Sequence, residues 1–408
     1  MTRVGWGPWA TAAVALALLP WIPGLQGDFA RSLLTQMGIA AVFALSYNLL
    51  LGQAGLLSFG HAVYFGLGGY ASIHLLRAIN AGLPIPVPFL PIAGALAGLA
   101  FGVVFGALTT RRGGTVFALI SLGLGEWVHA SSLMLPSFFG GEEGVTASRT
   151  RGPAVLGLHF GSQVEVYYIT AAWLFVSALL MYGFLRTPLG RLANAVRDNP
   201  ERVEFIGYDP RRVRFGVFCV SAAFAGLAGG LHAINYEIVA SEALSASRSG
   251  VVLLMAYIGG VNHFLGAIAG AVAITWLQVS LSDYTGAWML YLGLLFMGIV
   301  SFVPGGLMGL AALHVAAWRT HGARALARAY AVALPFALAA LLGTVTLIEM
   351  AYRRATQPEA GSRMRLFGVM LDTATPWPWL GAAVLAACGL YALRRLAPRI
   401  AAPWRAKA

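Results

Sequence analysis

Residues 45–61 read LSYNLLLGQAGLLSFGH, a glycine-rich and polar interruption at the end of a long apolar run. That run, residues 30–51, has the roughly 20 residues that a helix needs to cross a bilayer. The glycines and polar residues of the interruption are Gly52, Gly55, Gly60, Asn48, Gln53, Ser58 and His61. Backbone groups freed by a break inside a membrane need polar partners or a cavity. The stretch therefore predicts a broken, glycine-rich membrane helix.

Two interpretations of the polar side chains in this stretch stay open. They line a polar path through the membrane, or they only satisfy the hydrogen bonds that the broken backbone leaves unmade. Asn48, Gln53, Ser58 and His61 are therefore candidate path residues, and arginine placement (below) predicts that the break lies near the inner face of the membrane.

The composition of the whole chain agrees with a membrane protein. Of its 408 residues, 59% are hydrophobic and 10% are charged, and the mean hydropathy is +0.75. A soluble domain of this size needs far more charge on its surface. The formal net charge is +12, but the basic residues lie between apolar runs, so we expect no nucleic-acid partner. The sequence predicts an all-α integral membrane protein, a polytopic helical bundle.

Apolar segments follow one another along the chain, and we expect about 10–12 of them to cross the membrane. They are residues 9–27, 30–51, 61–80, 88–110, 115–137, 164–186, 212–235, 248–260, 264–282, 286–303, 330–351 and 376–393. The segment 248–260 is short and ends in glycines, as broken transporter helices do. The first segment resembles a signal peptide, but Pro20 and Pro23 interrupt it, so we expect it to be retained.

Glycines recur every four residues in several of these segments, which favours close helix packing in lipid. The rows are Gly94, Gly98, Gly102 and Gly106, then Gly226 and Gly230, then Gly266 and Gly270.

Arginine placement predicts the orientation of the chain. The densest run of arginines lies in residues 186–212, which we expect to be cytoplasmic, and this places Arg3 and both termini on the same side. The polar stretch 138–163 then lies outside, where it connects two spans or receives a partner. Four arginines do not fit this predicted orientation, because they would face outward unless one of the last two segments fails to cross the membrane. They are Arg353, Arg354, Arg363 and Arg365.

The cytoplasmic segment 187–211 has the pattern of two short helices. Pro188 begins the first and Pro200 the second, and the first has a small apolar stripe of Leu192, Ala195 and Val196. The stripe predicts docking on a partner protein, although an ordinary solvated loop is the alternative. The candidate contact residues are Gly190, Arg191, Ala195, Arg197, Asp198, Glu201 and Gly207.

Residues that could carry chemistry are scarce. Glu126 is an acid deep within a span, so it pairs with an arginine or contacts a solute amine. The histidines are scattered and the two cysteines lie in apolar stretches, so we expect no metal site. Walker, nucleophile-elbow and paired-carboxylate patterns are absent from the sequence, so we expect neither a cofactor nor an enzyme.

Several motifs together resemble the M-type permease subunits of branched-chain amino acid ABC importers, the Liv family. The resemblance covers about residues 30–310. The motifs are LSYNLLLGQAGLLSFGH at 45–61, SLGLGE at 121–126, GGEEG at 140–144, the stretch from GR at 190–191 to GY at 207–208, SAAFAGLAG at 221–229 and PGGL at 304–307.

The resemblance implies a transport subunit in a bacterial inner membrane. It implies a pore formed with a second, H-type permease, two cytoplasmic ATPase subunits that bind the coupling segment 187–211, and a periplasmic binding protein that delivers a small-molecule solute. The permease core is then 30–310, residues 1–29 are an N-terminal membrane segment, and 311–408 are a C-terminal extension with two apolar segments.

The identity of the solute stays open in the sequence. Branched-chain amino acids lead, and urea or short amides are served by similar permeases. A secondary transporter driven by an ion gradient is the rival from another class, but it would need buried acids, and Glu126 alone is thin support.

Overall fold

The chain forms a bundle of helices in a computed structural model. The structure describes residues 6–153, 157, 159–303, 305–356, 359 and 361–400. Two residues used above, Arg3 and Pro304, lie outside the described residues. Within them, eight helices are long and apolar enough to span a membrane, so the prediction of an all-α polytopic membrane protein is confirmed.

The chain divides into two compact units. The first consists of Met1–Leu277 and Gly298–Met308, and the second of Gln278–Met297 and Gly309–Ala408. The first unit contains α1 (Trp6–Leu18), α2 (Asp28–Asn48), α3 (Ala62–Asn80), α4 (Leu90–Thr109), α5 (Gly114–Met134), α6 (Pro136–Phe139), α7 (Gln163–Arg186), α8 (Pro188–Asp198), α9 (Pro200–Phe205), α10 (Pro210–Tyr236) and α11 (Ala246–Gly259).

Three helices have residues in both units. They are α12 (Phe264–Tyr284), α13 (Trp288–Phe302) and α14 (Gly306–Thr356). Gly322 inside α14 has φ 74° and ψ 166°, which is not helical, so α14 consists of two helices joined at a kink. Three apolar helices, α1, α11 and α13, are shorter than the eight spans. The prediction that the segment around 248–260 is a short helix is confirmed, because α11 has 14 residues.

The core of the first unit lies where α10 packs between α3 and α4. Gly226 lies at this crossing, where a Cβ atom would clash with the carbonyl of Gly94 and lie 2.9 Å from the Cα of Gly98. On the other side, a Cβ on Gly68 would meet the backbone of Gly226. The predicted packing role of the Gly94 to Gly106 row is confirmed, since all four of its glycines are buried in α4.

The second unit has its own small core. Gly343 of α14 and Gly389 of α15 (Pro376–Ile400) bring these helices together, because a Cβ on either would lie 2.5 Å from a backbone nitrogen of the other helix. Between them, β3 (Arg363–Leu366) and β4 (Val369–Asp372) form an antiparallel hairpin. Arg363 and Arg365 belong to β3, so two of the four disagreeing arginines lie on a folded hairpin.

A two-residue ladder closes one end of the first unit. β1 (Val145–Thr146) pairs antiparallel with β2 (Ile238–Val239) at the end of α10. Arg149 then fastens the loop, because its Nε donates to the carbonyl of Phe160 at 2.8 Å and its Nη1 to that of Asn235 at 3.0 Å. The polar stretch 138–163 is therefore tied to the bundle in its described part. We call this the β1–β2 end and the opposite end, with α8 and α9, the α8–α9 end.

Candidate functional site

The break between α2 and α3 is a turn of π-helix followed by an irregular segment. The π turn is Leu49–Gln53, and α3 begins only at Ala62. The chain doubles back here, since the Leu56 amide donates to the Leu50 carbonyl at 3.0 Å and the Tyr47 hydroxyl donates to the Ser58 carbonyl at 3.0 Å. The predicted broken helix is confirmed. α3 therefore begins within the bundle, beside Ser46, rather than at its end.

A second break lies directly against the first. α11 ends at Gly259, Gly260 has φ +113°, and α12 begins at Phe264. The Asn48 amide nitrogen donates to the Val261 carbonyl at 2.8 Å, and a Cβ on Gly52 would lie 2.5 Å from that same oxygen. The two glycine-rich interruptions, residues 49–61 and 260–263, thus contact each other between non-consecutive helices. We call these two segments the joint.

The polar side chains of the first break are buried and only partly paired. Asn48 uses its amide nitrogen but leaves Oδ1 without a partner in the described structure, and the Ser58 hydroxyl is unpaired there too. Gln53 is also buried. A buried polar atom without a hydrogen bond costs about 1–3 kcal/mol. The joint therefore contains buried polar atoms whose hydrogen-bonding capacity the described contacts leave unsatisfied.

His61 is buried among aromatic rings and touches one polar group. The Ser46 hydroxyl donates its proton to the Phe43 carbonyl at 2.7 Å, so at the 3.0 Å contact between Ser46 and His61 the histidine Nε2–H must donate. Nδ1 of His61 is then an acceptor, and it has no partner among the described groups. α10 joins this network because the Ser221 hydroxyl donates to the Ser46 carbonyl at 2.6 Å.

The segment 187–211 forms the two short helices that its sequence predicts. Three helices in a row begin with a side-chain cap followed by proline, a combination that satisfies the first free amides and pre-sets the backbone. The Thr187 hydroxyl accepts from the Gly190 amide at 3.2 Å, Asn199 from the Arg202 amide at 3.0 Å, and Asp209 from the Arg211 amide. These caps begin α8, α9 and α10.

The predicted apolar stripe of α8 is partly buried against the bundle, because Val196 is buried and Leu192 and Ala195 are half-buried. Ala193 and Val196 are buried, and α8 packs against α7, α10 and the π turn. Gly190 is buried at the corner between α7 and α8, where a Cβ would lie 2.7 Å from the Cα of Leu185. Stripe residues at helical spacing cannot show by themselves which neighbour they bury against.

Arg197 joins α8 to the helix break. Its Nη1 donates to the carbonyl of Gly52 in the π turn, and its Nε lies 3.1 Å from a carboxylate oxygen of Asp198. A Cβ on Gly55 would lie 2.8 Å from the Arg197 Cγ, so the side chain lies directly on the irregular segment. A cation at this position stabilises carbonyl groups that the end of a helix leaves free.

The other predicted contact residues lie around this point. Arg191, Asp198 and Glu201 are exposed, and Ala195 is half-buried. Gly207 is exposed, and its φ of +89° is a backbone conformation that residues with a side chain rarely adopt. An apolar surface that the sequence pattern did not predict lies beside it, where Phe205 is 88% exposed and Ile206 and Tyr208 also face outward. We call Phe205, Ile206 and Tyr208 the α9 patch.

Glu126 lies on α5 and faces away from its own chain. The residue is exposed, and it forms no ion pair with a described residue, so the structure does not place an arginine of this chain beside it. Its neighbours Leu119 and Trp127 are also exposed. A carboxylate in the middle of a span is costly to leave in lipid, so this face of α5 adjoins a polar path or another protein.

A family model identifies the class of protein. The model of the branched-chain amino acid transport system / permease component family matches residues 29–303. This permease belongs to that family.

Curated relatives of the permease agree with the family. It is 29% identical over 293 residues to the high-affinity branched-chain amino acid transport system permease protein LivM of Escherichia coli, covering 66% of this chain and 68% of the relative. It is 24% identical to the probable LivM of Methanocaldococcus jannaschii, covering 69% and 93%. It is 23% identical to the LivH permease of Escherichia coli, covering 66% and 91%. No solved structure matches the permease.

The family match covers both breaks and the α8–α9 segment. Its residues 29–303 end close to the boundary of the first compact unit at Met308. The joint, Arg197 and Glu126 therefore lie in the part of the chain that the family shares. The permease is a transport component, as its relatives are named permease proteins of branched-chain amino acid transport systems.

Proposed function

We propose that this permease translocates branched-chain amino acids across a bacterial inner membrane as one half of a pore that separate ATPase subunits drive. The observation that carries the proposal is the contact of Arg197 with the π turn. It connects a short amphipathic helix at the end of the bundle to the broken helix at its centre. Force or binding energy applied to α8 and α9 is transmitted by this contact to the joint.

The proposed assembly has five other kinds of partner. An H-type permease completes the pore, two ATPase subunits bind at the α8–α9 end, a periplasmic binding protein delivers the small-molecule solute to the β1–β2 end, and lipid surrounds the spans. The α8–α9 end is cytoplasmic in this proposal, and both termini lie on that side. The similarity to proteins named LivM and LivH supports a pairing of two such permeases.

The mechanism needs two conformations of the joint. ATP-bound and ATP-free motors hold α8 and α9 differently, and a motor shifts the equilibrium only by its difference in affinity for the two states. The unpaired Asn48 Oδ1, Ser58 hydroxyl and His61 Nδ1 are candidates to form hydrogen bonds in the second state. Together with Gln53 and Glu126, they are our proposed residues of the translocation path.

The proposed division of labour along the chain follows the family match. Residues 30–310 form the translocating core, with the coupling segment 187–211 inside it. Residues 1–29 add an N-terminal membrane segment, and 311–408 form a C-terminal extension. Measuring uptake by a permease that lacks residues 311–408 tests whether the extension is needed for transport.

Uptake by reconstituted vesicles tests the proposed function. Vesicles that hold the permease and its partner permease, with the ATPases facing the lumen and a leucine-loaded binding protein outside, are expected to accumulate leucine when ATP is enclosed in the lumen. Accumulation should resist ionophores, because no ion gradient drives it. Ionophore-sensitive accumulation without ATP would instead identify a secondary transporter, and uptake of urea or short amides but not leucine would reassign the solute.

The α9 patch gives a prediction about the motor contact. Changing Phe205 to aspartate is expected to weaken ATPase association at least about tenfold, because a charge replaces an exposed apolar side chain at the proposed contact. Co-purification of the ATPases with the tagged permease at graded salt measures this. Phe205→Leu is the matched control and should retain them. Equal retention by both variants would place the motor contact elsewhere.

A further inference from the structure

The β3–β4 hairpin of the second compact unit exposes an apolar turn beside basic residues. Phe367, Val369 and Met370 at this turn are between 58% and 64% exposed. Arg365 is exposed as well, and it lies opposite Met370 in the ladder, so the two side chains share one face of the hairpin. The hairpin lies beyond the family match, which ends at residue 303, and the proposed transport path does not use it. We call Arg365, Phe367, Val369 and Met370 the hairpin tip.

The hairpin lies along the ends of two membrane spans rather than projecting away from them. Both α14 and α15 are long and apolar enough to span a membrane, and the hairpin connects the end of one to the start of the other. Its buried Met364 packs in one cluster with Met350 of α14 and Ala382 of α15. Each of these two helix residues lies six positions inside its helix end, which is roughly 9 Å of helix. The hairpin is therefore held at the level where the spans meet the lipid headgroups.

The charges around the hairpin complement an anionic lipid layer. Residues 351–375 contain four arginines and two acids. One of the acids, Asp372, lies opposite Arg363 in the ladder and so offsets one of the arginines. Arg354 and Arg365 are exposed and form no ion pair with a described residue. Basic residues at a membrane surface attract anionic phospholipid headgroups.

A pocket of about 470 Å³ opens at the base of the hairpin. Its lining includes Arg354 and Thr375 together with the apolar side chains of Trp379 and Leu380. Trp379 joins the pocket to the end of the hairpin, because its Nε1 donates to the carbonyl of Thr373 at 3.1 Å. Tryptophan is enriched where a membrane meets water. A guanidinium beside an apolar lining matches a phosphate headgroup and the first carbons of its acyl chains.

The turn of the hairpin places a phenylalanine where a polar residue is usual. Leu366 pairs with Val369, so the loop consists of Phe367 and Gly368, and both have positive φ, 50° and 82°. Turns of this kind favour Asn-Gly or Asp-Gly, because a bulky side chain is strained at positive φ. Most of the Phe367 surface is open, so burial within the described fold does not explain the ring. An apolar surrounding outside the chain does.

We propose that the hairpin binds anionic phospholipid at the membrane surface, with Arg354 and Arg365 on headgroup phosphates and the apolar side chains of the hairpin tip among the upper acyl carbons. A guanidinium donates two parallel hydrogen bonds to a phosphate and keeps its charge at physiological pH. Lipid is the occupant that the fold favours, because the hairpin lies alongside two spans whose apolar surfaces are largely exposed. This contact anchors the second unit to the lipid layer, and it does not depend on the proposed function.

A fluorescent label at the hairpin tip tests this inference. Val369→Cys in a Cys388→Ala background provides one accessible thiol, because the other cysteine, Cys219, is buried. The labelled permease is placed in phosphatidylcholine vesicles with a rising fraction of phosphatidylglycerol. Nitroxides on lipid headgroups should quench the label strongly and iodide in the water weakly, and the lipid quenching should rise with phosphatidylglycerol. Arg354→Gln or Arg365→Gln should raise the phosphatidylglycerol fraction at the half-maximal change about fivefold, as about 1 kcal/mol per arginine implies.

Two further variants separate lipid binding from folding. Arg395→Gln removes an exposed arginine that stacks on Tyr391 near the other end of α15, and it should leave the half-maximal fraction unchanged. Phe367→Asn gives the turn a residue that it favours, so the extracted permease should be at least as heat-stable, yet lipid quenching should fall at least about twofold because the ring is lost. Equal half-maximal fractions for Arg365→Gln and Arg395→Gln, or iodide quenching as strong as lipid quenching, would overturn the inference. Protection of the label from both quenchers would overturn it too, because the tip would then be covered by protein.

Discussion

Replacing Arg197 with glutamate is expected to lower ATP-driven uptake at least about tenfold while hydrolysis by the motor continues, because the contact it removes involves a charged donor. Arg197 donates to the Gly52 carbonyl and lies against Gly55, so it is the described polar link between α8 and the π turn. A glutamate at this position cannot donate, and its charge would repel the carbonyl end of the turn. Uptake and ATP hydrolysis measured in the same vesicles give the ratio.

Insertion and assembly should survive this change, because the Arg197 side chain is 32% exposed and lies at the end of the bundle. Arg112→Glu is the matched control: Arg112 is an exposed arginine of the turn between α4 and α5, and its replacement reverses the same charge without touching the joint. Arg197→Lys keeps a donor and should retain most of the coupling. Normal uptake by Arg197→Glu would show that α8 does not act through the π turn.

The sequence predicted the helices well because their signals are local. Apolar runs of membrane length, the glycine interruption and the prolines that begin α8 and α9 each act within a few residues. The direction in which a side chain points between helices depends on partners far along the chain. Val196 was assigned to an outer docking face, but it is buried, and its helix α8 packs against α7, α10 and the π turn.

Of the two breaks that form the site, the sequence predicted the polar residues of the first break only. Asn48 and His61 were found because they lie in the interruption itself, whereas their partners Val261 and Ser46 were not identified. The glycines at 259 and 260 gave a weak signal of a second break, but contact between residues 213 positions apart is a property of the tertiary fold.

Replacing Gly226 with valine is expected to have the largest effect on folding. A Cβ atom at this position would clash with the Gly94 carbonyl oxygen and lie 2.9 Å from the Gly98 Cα. On the α3 side, the backbone of Gly68 also packs against Gly226. These neighbours are backbone atoms, which cannot rotate out of the way as a flexible side chain would. Overpacking costs about 1–3 kcal/mol where side chains can move, so about 3 kcal/mol or more is expected here.

The matched control for this crossing is Gly183→Val in α7, where a Cβ would meet no atom within 4 Å. Both changes add the same side chain to a helix of the same unit and carry the same cost in helix propensity. The fraction of monodisperse permease after extraction into mild detergent and graded heating should fall at least about tenfold for Gly226→Val and little for Gly183→Val, because only the first pushes two helix backbones apart. Equal yields from the two variants would mean that α3, α4 and α10 do not cross at Gly226, and the joint that these helices support would need a different arrangement.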